Sequence, residues 1–128
     1  MPLVKVNLRK GRTATEKAAI GTAIQAALVS TLNVPEADRY QLFTEFDDEN
    51  FQHTPAYLGM DYTAQLLMIE ITFLEGRDDE MKKALLAEMN KNLVDAGLVR
   101  PEDVFVMITE AGLANVSFGR GLAQRAAE

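Results

Sequence analysis

The chain contains no cysteine and only one histidine, His53. Disulfide bonds and thiolate metal sites are therefore excluded, a zinc site is not expected, and a serine–histidine–aspartate triad could use only His53. No apolar run approaches the roughly 20 residues that cross a membrane, and charged residues interrupt the apolar stretch at the N-terminus. We therefore expect no metal, no membrane partner and a cytoplasmic location.

Basic residues are also too few for a nucleic-acid-binding surface. The 13 lysines and arginines are outnumbered by 19 acidic residues, which gives a net charge of −6, whereas nucleic-acid binding normally needs a basic face. The length of 128 residues and the hydrophobic content of 48% are those of one compact domain with one core. We expect a single domain over residues 1–128.

What the chain does have is a proline at position 2, behind the initiator methionine and at the start of an apolar strand. Aminopeptidases generally trim a methionine that precedes a small residue such as proline. The mature chain would then begin with the secondary amine of Pro2, and burial and a nearby cation lower the pKa of such an amine. A neutral amine can take a proton from the carbon next to a carbonyl and return it elsewhere. If Met1 is retained, the nitrogen of Pro2 is an amide without basicity.

The first part of the chain has the pattern of a strand, a helix and a second strand. Apolar and polar residues alternate over residues 3–9, and Gly11 breaks the strand. Thr13 and Glu16 have the spacing of a capping box, and apolar residues then recur every four positions, which predicts a helix. A second strand is predicted at 40–46.

The pattern then recurs. An apolar strand is predicted at 66–74, Gly76 breaks it, and Asp78 or Asp79 can cap a second helix, which leads to a strand at 104–109. A shift of 65 positions superimposes ten identical residues within 11–45, against about two or three expected from average residue usage. The matches include Arg12 with Arg77 and Asp38 with Asp103. We interpret them as an internal duplication.

Two such units predict an α+β fold. Each unit should hold its two strands parallel through a right-handed crossover, and joining the units gives a four-stranded mixed sheet with two helices on one face. We place the two β-α-β repeats at about 2–46 and 64–110, followed by a C-terminal hairpin or tail at 111–128. The uncovered sheet face should pack against other copies of the chain, and a closed ring is the usual form.

The chain begins with a Met-Pro strand, has a Gly-Arg turn before a helix and repeats a strand–helix–strand layout. Together these features resemble the tautomerase superfamily, whose enzymes use an N-terminal proline and include 4-oxalocrotonate tautomerase. Three short segments are similar to the branch that contains malonate semialdehyde decarboxylase. They are Asp38-Arg39-Tyr40-Gln41, Gly76-Arg77 and Ser117-Phe118-Gly119-Arg120-Gly121. The resemblance implies a tautomerase-like fold, no cofactor and a homotrimer.

The resemblance also implies roles for individual residues. Pro2 is the catalytic amine, and Arg77 binds a substrate carboxylate and polarises a carbonyl. Asp38 assists proton or water chemistry, and Phe118 forms an apolar wall of the substrate pocket. No proline amine is available as a partner for Arg12, since Leu67 occupies the position equivalent to Pro2 in the second unit. Arg12 should therefore be structural or vestigial.

Two positions differ from the decarboxylase pattern. Glu75 stands where a second arginine is usual, and Val116 stands where a tryptophan is usual. An acid at position 75 would disfavour a substrate carboxylate nearby, so these positions bear on which acid the site accepts.

We therefore expect a cofactor-independent keto–enol tautomerase that acts on small 2-oxo or 3-oxo acids. The alternatives are a decarboxylase or hydratase of the malonate semialdehyde type, and a non-catalytic trimeric binding protein with the same fold. Retention of Met1 would favour the last.

Overall fold

The computed structural model describes residues 2–126, and Met1 and residues 127–128 lie outside the described part. The prediction that Met1 is removed concerns one of these outer residues. The main elements are six strands and two helices: β1 (Pro2–Arg9), α1 (Ala14–Leu32), β2 (Tyr40–Phe46), β3 (Ala56–Tyr57), β4 (Met60–Asp61), β5 (Leu67–Leu74), α2 (Asp79–Asp95) and β6 (Val104–Ala111). Short 3-10 turns lie at Asp48–Asn50, Pro101–Asp103 and Leu113–Asn115.

The main sheet has four strands in the order β2-β1-β5-β6. Strand β1 pairs parallel with β2, and β5 pairs parallel with β6. The two units meet where β1 and β5 pair antiparallel, with Pro2 opposite Phe73 and Asn7 opposite Met68. The predicted four-stranded mixed sheet is confirmed.

Both helices begin where capping residues were predicted. The side chain of Thr13 accepts from the backbone N–H of Glu16, and the carboxylate of Glu16 accepts from the N–H of Thr13, which completes the capping box. Asp78 caps α2 by accepting from the N–H of Met81. Helix α1 ends at Asn33 in the left-handed conformation.

The hydrophobic core lies between the helices and one face of the sheet. Alternate residues of β1 and β5 are buried and pack against Ile24 and Leu28 of α1 and Leu85 and Met89 of α2. The side chain of Asn92 donates to the carbonyl of Ala23, which ties the two helices together on the same side. The predicted fold class, with two helices on one sheet face, is confirmed.

The two units share contacts as well as topology. Lys17 pairs with Glu45 at 3.2 Å, and Lys82 pairs with Glu110 at 2.8 Å. These four residues are equivalent under the 65-position shift, so each helix is joined to the second strand of its own unit by the same ion pair.

The described part of the C-terminal segment has no regular strand. Residues 112–126 contain one 3-10 turn and no strand. Three successive residues, Gly119, Arg120 and Gly121, have positive φ angles and turn the chain. The side chain of Gln124 then accepts from the N–H of Phe118 and donates to the carbonyl of Gly119. These local bonds close a compact loop where a hairpin would have needed a ladder of backbone bonds.

None of the helices among residues 2–126 combines the length and the apolar character that a membrane span requires.

Candidate active site

All four strands of the main sheet have one terminus at the same end of the sheet. Strands β1 and β2 begin there, at Pro2 and Tyr40, while β5 and β6 finish there, at Leu74 and Ala111. Segments that precede β2 and follow β5 and β6 are therefore neighbours of Pro2, although they lie far apart in sequence.

Pro2 is buried at the first position of β1. It borders a cleft of about 210 Å³, which we call the Pro2 cleft. The cleft is mainly apolar and is lined by Pro2, Leu3, Tyr40, Val116, Ser117 and Phe118. A small carbon skeleton can therefore approach the nitrogen of Pro2 from an apolar side.

Arg77 follows β5 after a turn at Gly76, whose φ of 121° suits glycine. Its guanidinium donates to the carbonyl of Leu74 at 3.2 Å and lies 5.4 Å from the centre of the Phe73 ring. Because Phe73 is also the sheet partner of Pro2, one aromatic residue links the proline with the arginine. Arg77 is half-buried and lines a second cleft of about 420 Å³, the Arg77 cleft, together with Glu75.

Asp38 lies in the loop that enters β2. The loop is fixed by Gln25, a buried side chain of α1 that donates to the backbone carbonyls of Glu36 and Asp38. The N–H of Asp38 donates to the carbonyl of Pro35 at 3.0 Å. Asp38 is half-buried and lines a third cleft of about 520 Å³, the Asp38 cleft.

The three clefts are joined by residues that they share. Tyr40 and Phe118, whose ring centres are 5.9 Å apart, line both the Pro2 cleft and the Asp38 cleft. Pro35 and Arg125 line both the Asp38 cleft and the Arg77 cleft. We call the three together the groove.

The structure places all four residues that the sequence singled out, Pro2, Asp38, Arg77 and Phe118, on this groove. Sequence reasoning missed Arg125, and it did not assign Tyr40 to the pocket wall. Tyr40 could have been predicted from the sequence, because it follows Asp38 by two residues and begins β2. Nothing local in the sequence signals Arg125.

The opposite end of the sheet carries the residues that are equivalent under the 65-position shift, and other parts of the chain engage their side chains. A cleft of about 490 Å³ that borders Arg9, His53 and Tyr62 remains at that end. Arg12 donates to the carbonyl of Gln65 at 2.7 Å. The fully buried Asp103 accepts from both the N–H and the hydroxyl of Thr63. Burial lowers the pKa of Arg12, and the carboxylates of Glu16 and Asp103 oppose that shift.

His53 lies at this opposite end as well. Its Nε2 is 3.2 Å from a guanidinium nitrogen of Arg9, and its Nδ1 is 2.8 Å from the carbonyl of Thr54. Since an arginine only donates, Nε2 accepts and Nδ1 donates. His53 therefore belongs to the linker between β2 and β5, residues 47–66, and lies away from the groove. Within residues 2–126, no three His, Asp or Glu side chains are grouped so as to hold a metal ion.

Two family models, both described as tautomerase enzyme, match the chain, one over residues 38–119 and the other over residues 2–60. The chain belongs to the tautomerase family. Its curated relatives include two proteins of Bacillus subtilis (strain 168). The probable tautomerase YusQ is 33% identical over 97% of this chain and 98% of its own length, and the probable tautomerase YrdN is 27% identical over 97% and 95%.

Solved structures place this tautomerase beside malonate semialdehyde decarboxylases. One such enzyme, described with its decarboxylase and hydratase activities, is 27% identical with a TM-score of 0.90, over 95% of this chain and 94% of that one. Another, inhibited by 3-bromopropiolate, is 33% identical with a TM-score of 0.89, over 95% and 92%. A native fused 4-OT shares the fold, at 21% identity and a TM-score of 0.78, over 95% and 96%. The predicted tautomerase superfamily and its decarboxylase-like branch are thus confirmed.

Proposed function

We propose that the protein is a cofactor-independent keto–enol tautomerase of small 2-oxo or 3-oxo acids, with the amine of Pro2 as the general base. The observation that carries this proposal is the position of Pro2, at the apolar end of a groove whose other end holds Arg77. A base beside an apolar wall and a fixed cation within the same groove are what proton abstraction next to a carbonyl needs.

The proposed reaction moves one proton. The amine of Pro2 removes a proton from the carbon next to the carbonyl. The electron pair of that C–H bond forms a carbon–carbon double bond, while the π pair of the carbonyl moves onto its oxygen. Arg77 binds the carboxylate or the oxygen on which this charge develops. The protonated amine then returns the proton to the oxygen or to another carbon, which restores the free base.

The amine exists only after Met1 has been removed, and burial then favours its neutral form. Removing a cationic ammonium from water is costly, and a nearby guanidinium repels it, so both effects lower the pKa of the amine. Asp38, in the adjoining cleft, assists the proton transfer, and Phe118 contacts the apolar side of the substrate.

A decarboxylase or hydratase of 3-oxo acids is the second candidate. The likeness to malonate semialdehyde decarboxylases at 27% and 33% identity favours it. So does the position of Asp38, because a carboxylate in the cleft next to Pro2 could activate a water molecule or steer a substrate carboxylate. Glu75 in the Arg77 cleft counts against a substrate with further negative charge.

We further propose that the chain forms a homotrimer through the sheet face that the helices leave uncovered. Leu42, Phe105 and Met107 are 53%, 43% and 58% exposed in the single chain. Two of the fused 4-OT structures that share the fold are described as an asymmetric and a symmetric trimer.

The experiment that separates these functions begins with mass spectrometry of the purified protein, to verify that the chain starts at Pro2. The verified protein is then given phenylenolpyruvate and, separately, malonate semialdehyde. Ketonisation of the enol without release of carbon dioxide from the second compound supports the tautomerase. Decarboxylation as the dominant activity supports the alternative, and retention of Met1 with neither activity supports a binding protein.

A further inference from the structure

We propose that Arg125, in the C-terminal tail, is the second cation that binds the carboxylate of the substrate, opposite Arg77. This inference rests on the proposed function, because it concerns the substrate of the same groove. It assigns a binding role to a tail that strand and helix patterns leave without one.

The position of Arg125 is set by its neighbour Gln124. The side chain of Gln124 accepts from the N–H of Phe118 at 3.0 Å and donates to the carbonyl of Gly119 at 3.0 Å. The ring of Phe118 in turn packs on Tyr40, at the start of β2. The tail is therefore folded back onto the wall of the groove, and the residue after Gln124 is held at its rim.

Arg125 borders two of the three clefts. It lines the Arg77 cleft together with Glu75, and it lines the Asp38 cleft together with Phe118. An acid whose carboxylate lies between the two arginines can extend its carbon skeleton past Phe118 toward Pro2. The groove thus suits an oxo acid with its acid group at one end and an apolar part at the other.

The charges of the side chains that line the Arg77 cleft favour this second cation. Glu75 and Arg77 carry opposite charges, so without Arg125 the formal charges of the lining side chains would sum to zero. The whole chain is acidic, with a net charge of −6, and gives no long-range attraction either. With Arg125, the formal charge of the side chains that line the Arg77 cleft becomes positive, while the carboxylate of Asp38 lies on the other side of Arg125, in the Asp38 cleft. The Arg77 cleft is therefore the part of the groove that suits the carboxylate of the substrate.

Both arginines keep their charge for a ligand. Among the ion pairs formed within residues 2–126, none includes Arg77 or Arg125, whereas Arg9 and Arg100 are engaged with acidic neighbours. A guanidinium can donate two parallel hydrogen bonds to one carboxylate, which is the geometry that binds such a group most strongly.

The test compares Arg125→Gln with Arg120→Gln, which removes the same charge from the same tail but from a residue outside the three clefts. With phenylenolpyruvate we expect Arg125→Gln to raise KM about tenfold, as expected for a lost charge-assisted hydrogen bond, and to leave kcat within about twofold. Arg125→Lys should recover part of the loss, and Glu75→Gln should lower KM. The methyl ester of the substrate, which lacks the charge, should not distinguish Arg125→Gln from the wild type.

An unchanged KM in Arg125→Gln, or an equal change with the methyl ester, would overturn the inference. Binding of malonate, measured by calorimetry, tests the role of Arg125 independently of the proposed function. If the wild type turns over no enol but binds malonate about tenfold more tightly than Arg125→Gln does, the binding role stands and the tautomerase proposal fails. If turnover is seen and malonate binding is the same in both, the tautomerase proposal stands and the role of Arg125 fails.

Discussion

Arg12 and Arg77 occupy the same place in the two units but have different surroundings. Arg12 is engaged by the carbonyl of Gln65, in the linker that leads into β5. Among residues 2–126, the hydrogen bond of the Arg77 guanidinium is to the carbonyl of Leu74, three residues before it, and Arg77 lines a cleft. The guanidinium of Arg12 is thus occupied by the chain itself, whereas that of Arg77 lines a cleft that a small molecule can enter.

This difference predicts opposite effects of two alanine substitutions. Arg77→Ala should lower kcat/KM for a carboxylate substrate by about 100-fold, because the cation that binds the acid or the enolate is lost. Arg12→Ala should change kcat/KM by less than about threefold and instead lower the free energy of unfolding by about 1–2 kcal/mol, since it leaves a carbonyl without its donor. Steady-state kinetics and urea unfolding of both variants check this, and equal kinetic effects would contradict the single-site account.

At the scale of single residues, the site residues that could be predicted from the sequence are those whose type is unusual for their position. Pro2 stands out by position, and Arg77 stands out because its repeat partner Arg12 has no proline to serve. Arg125 could not be found in the same way. It reaches the groove through two hydrogen bonds of Gln124 across a turn of residues with positive φ, and neither the turn nor the bonds follow from a periodic pattern.

The helices and strands of the main sheet were predictable because each carries its own signal. Alternating burial defines β1, and the capping residues Thr13 and Asp78 define where α1 and α2 begin. The duplication then predicted two parallel strand pairs within one four-stranded sheet, whereas the order β2-β1-β5-β6 is known only from the structure. The tail lacks such a signal, since its glycines are compatible with a hairpin turn and with the compact loop that is observed.

The capping box of α1 gives a prediction at the scale of an element. Thr13→Ala should lower the free energy of unfolding by about 1 kcal/mol, and Thr13→Ser should recover most of it, because the hydroxyl of serine can accept the same bond. Urea unfolding at one fixed protein concentration measures both, since oligomers unfold in a concentration-dependent way. No loss of stability in Thr13→Ala would mean that tertiary packing alone fixes the start of α1.

The same cap has a defined pH dependence. The N–H of Thr13 and then its side chain, by hydrogen bonding, lower the pKa of Glu16. A carboxyl whose pKa is lower in the folded state stabilises the fold above its unfolded pKa, and this contribution is lost as the pH falls through the folded pKa. The difference in stability between the wild type and Glu16→Gln, whose amide does not titrate, should therefore narrow in acid.

At the scale of the whole molecule, the sheet face opposite the helices is the surface through which we propose that the chain assembles. Its central strands place Lys5 opposite Glu70, while exposed apolar side chains stand on the outer strands β2 and β6. The side chain of Glu70 also accepts from Asn7 at 2.9 Å, so this acid has a partner within the chain. An apolar surface of this kind favours burial against further copies.

Sedimentation tests the assembly directly. The wild type should sediment as a trimer, and Met107→Glu should shift it toward smaller species, because a charge would be buried in the contact. Leu86→Glu is the control, since Leu86 is exposed on α2 at the helix side of the sheet. A stable wild-type monomer, or equal effects of the two substitutions, would remove the uncovered face as the cause of assembly.

The central claim is that the amine of Pro2 is the base, and the most direct measurement is turnover of phenylenolpyruvate by Pro2→Ala beside the wild type. Alanine is also small, so both chains should lose Met1, and mass spectrometry of each verifies it. We predict that Pro2→Ala forms the same oligomer and loses at least about 100-fold in kcat/KM, in keeping with the loss of a general base. Full activity in Pro2→Ala, with the N-terminus verified, would contradict the account.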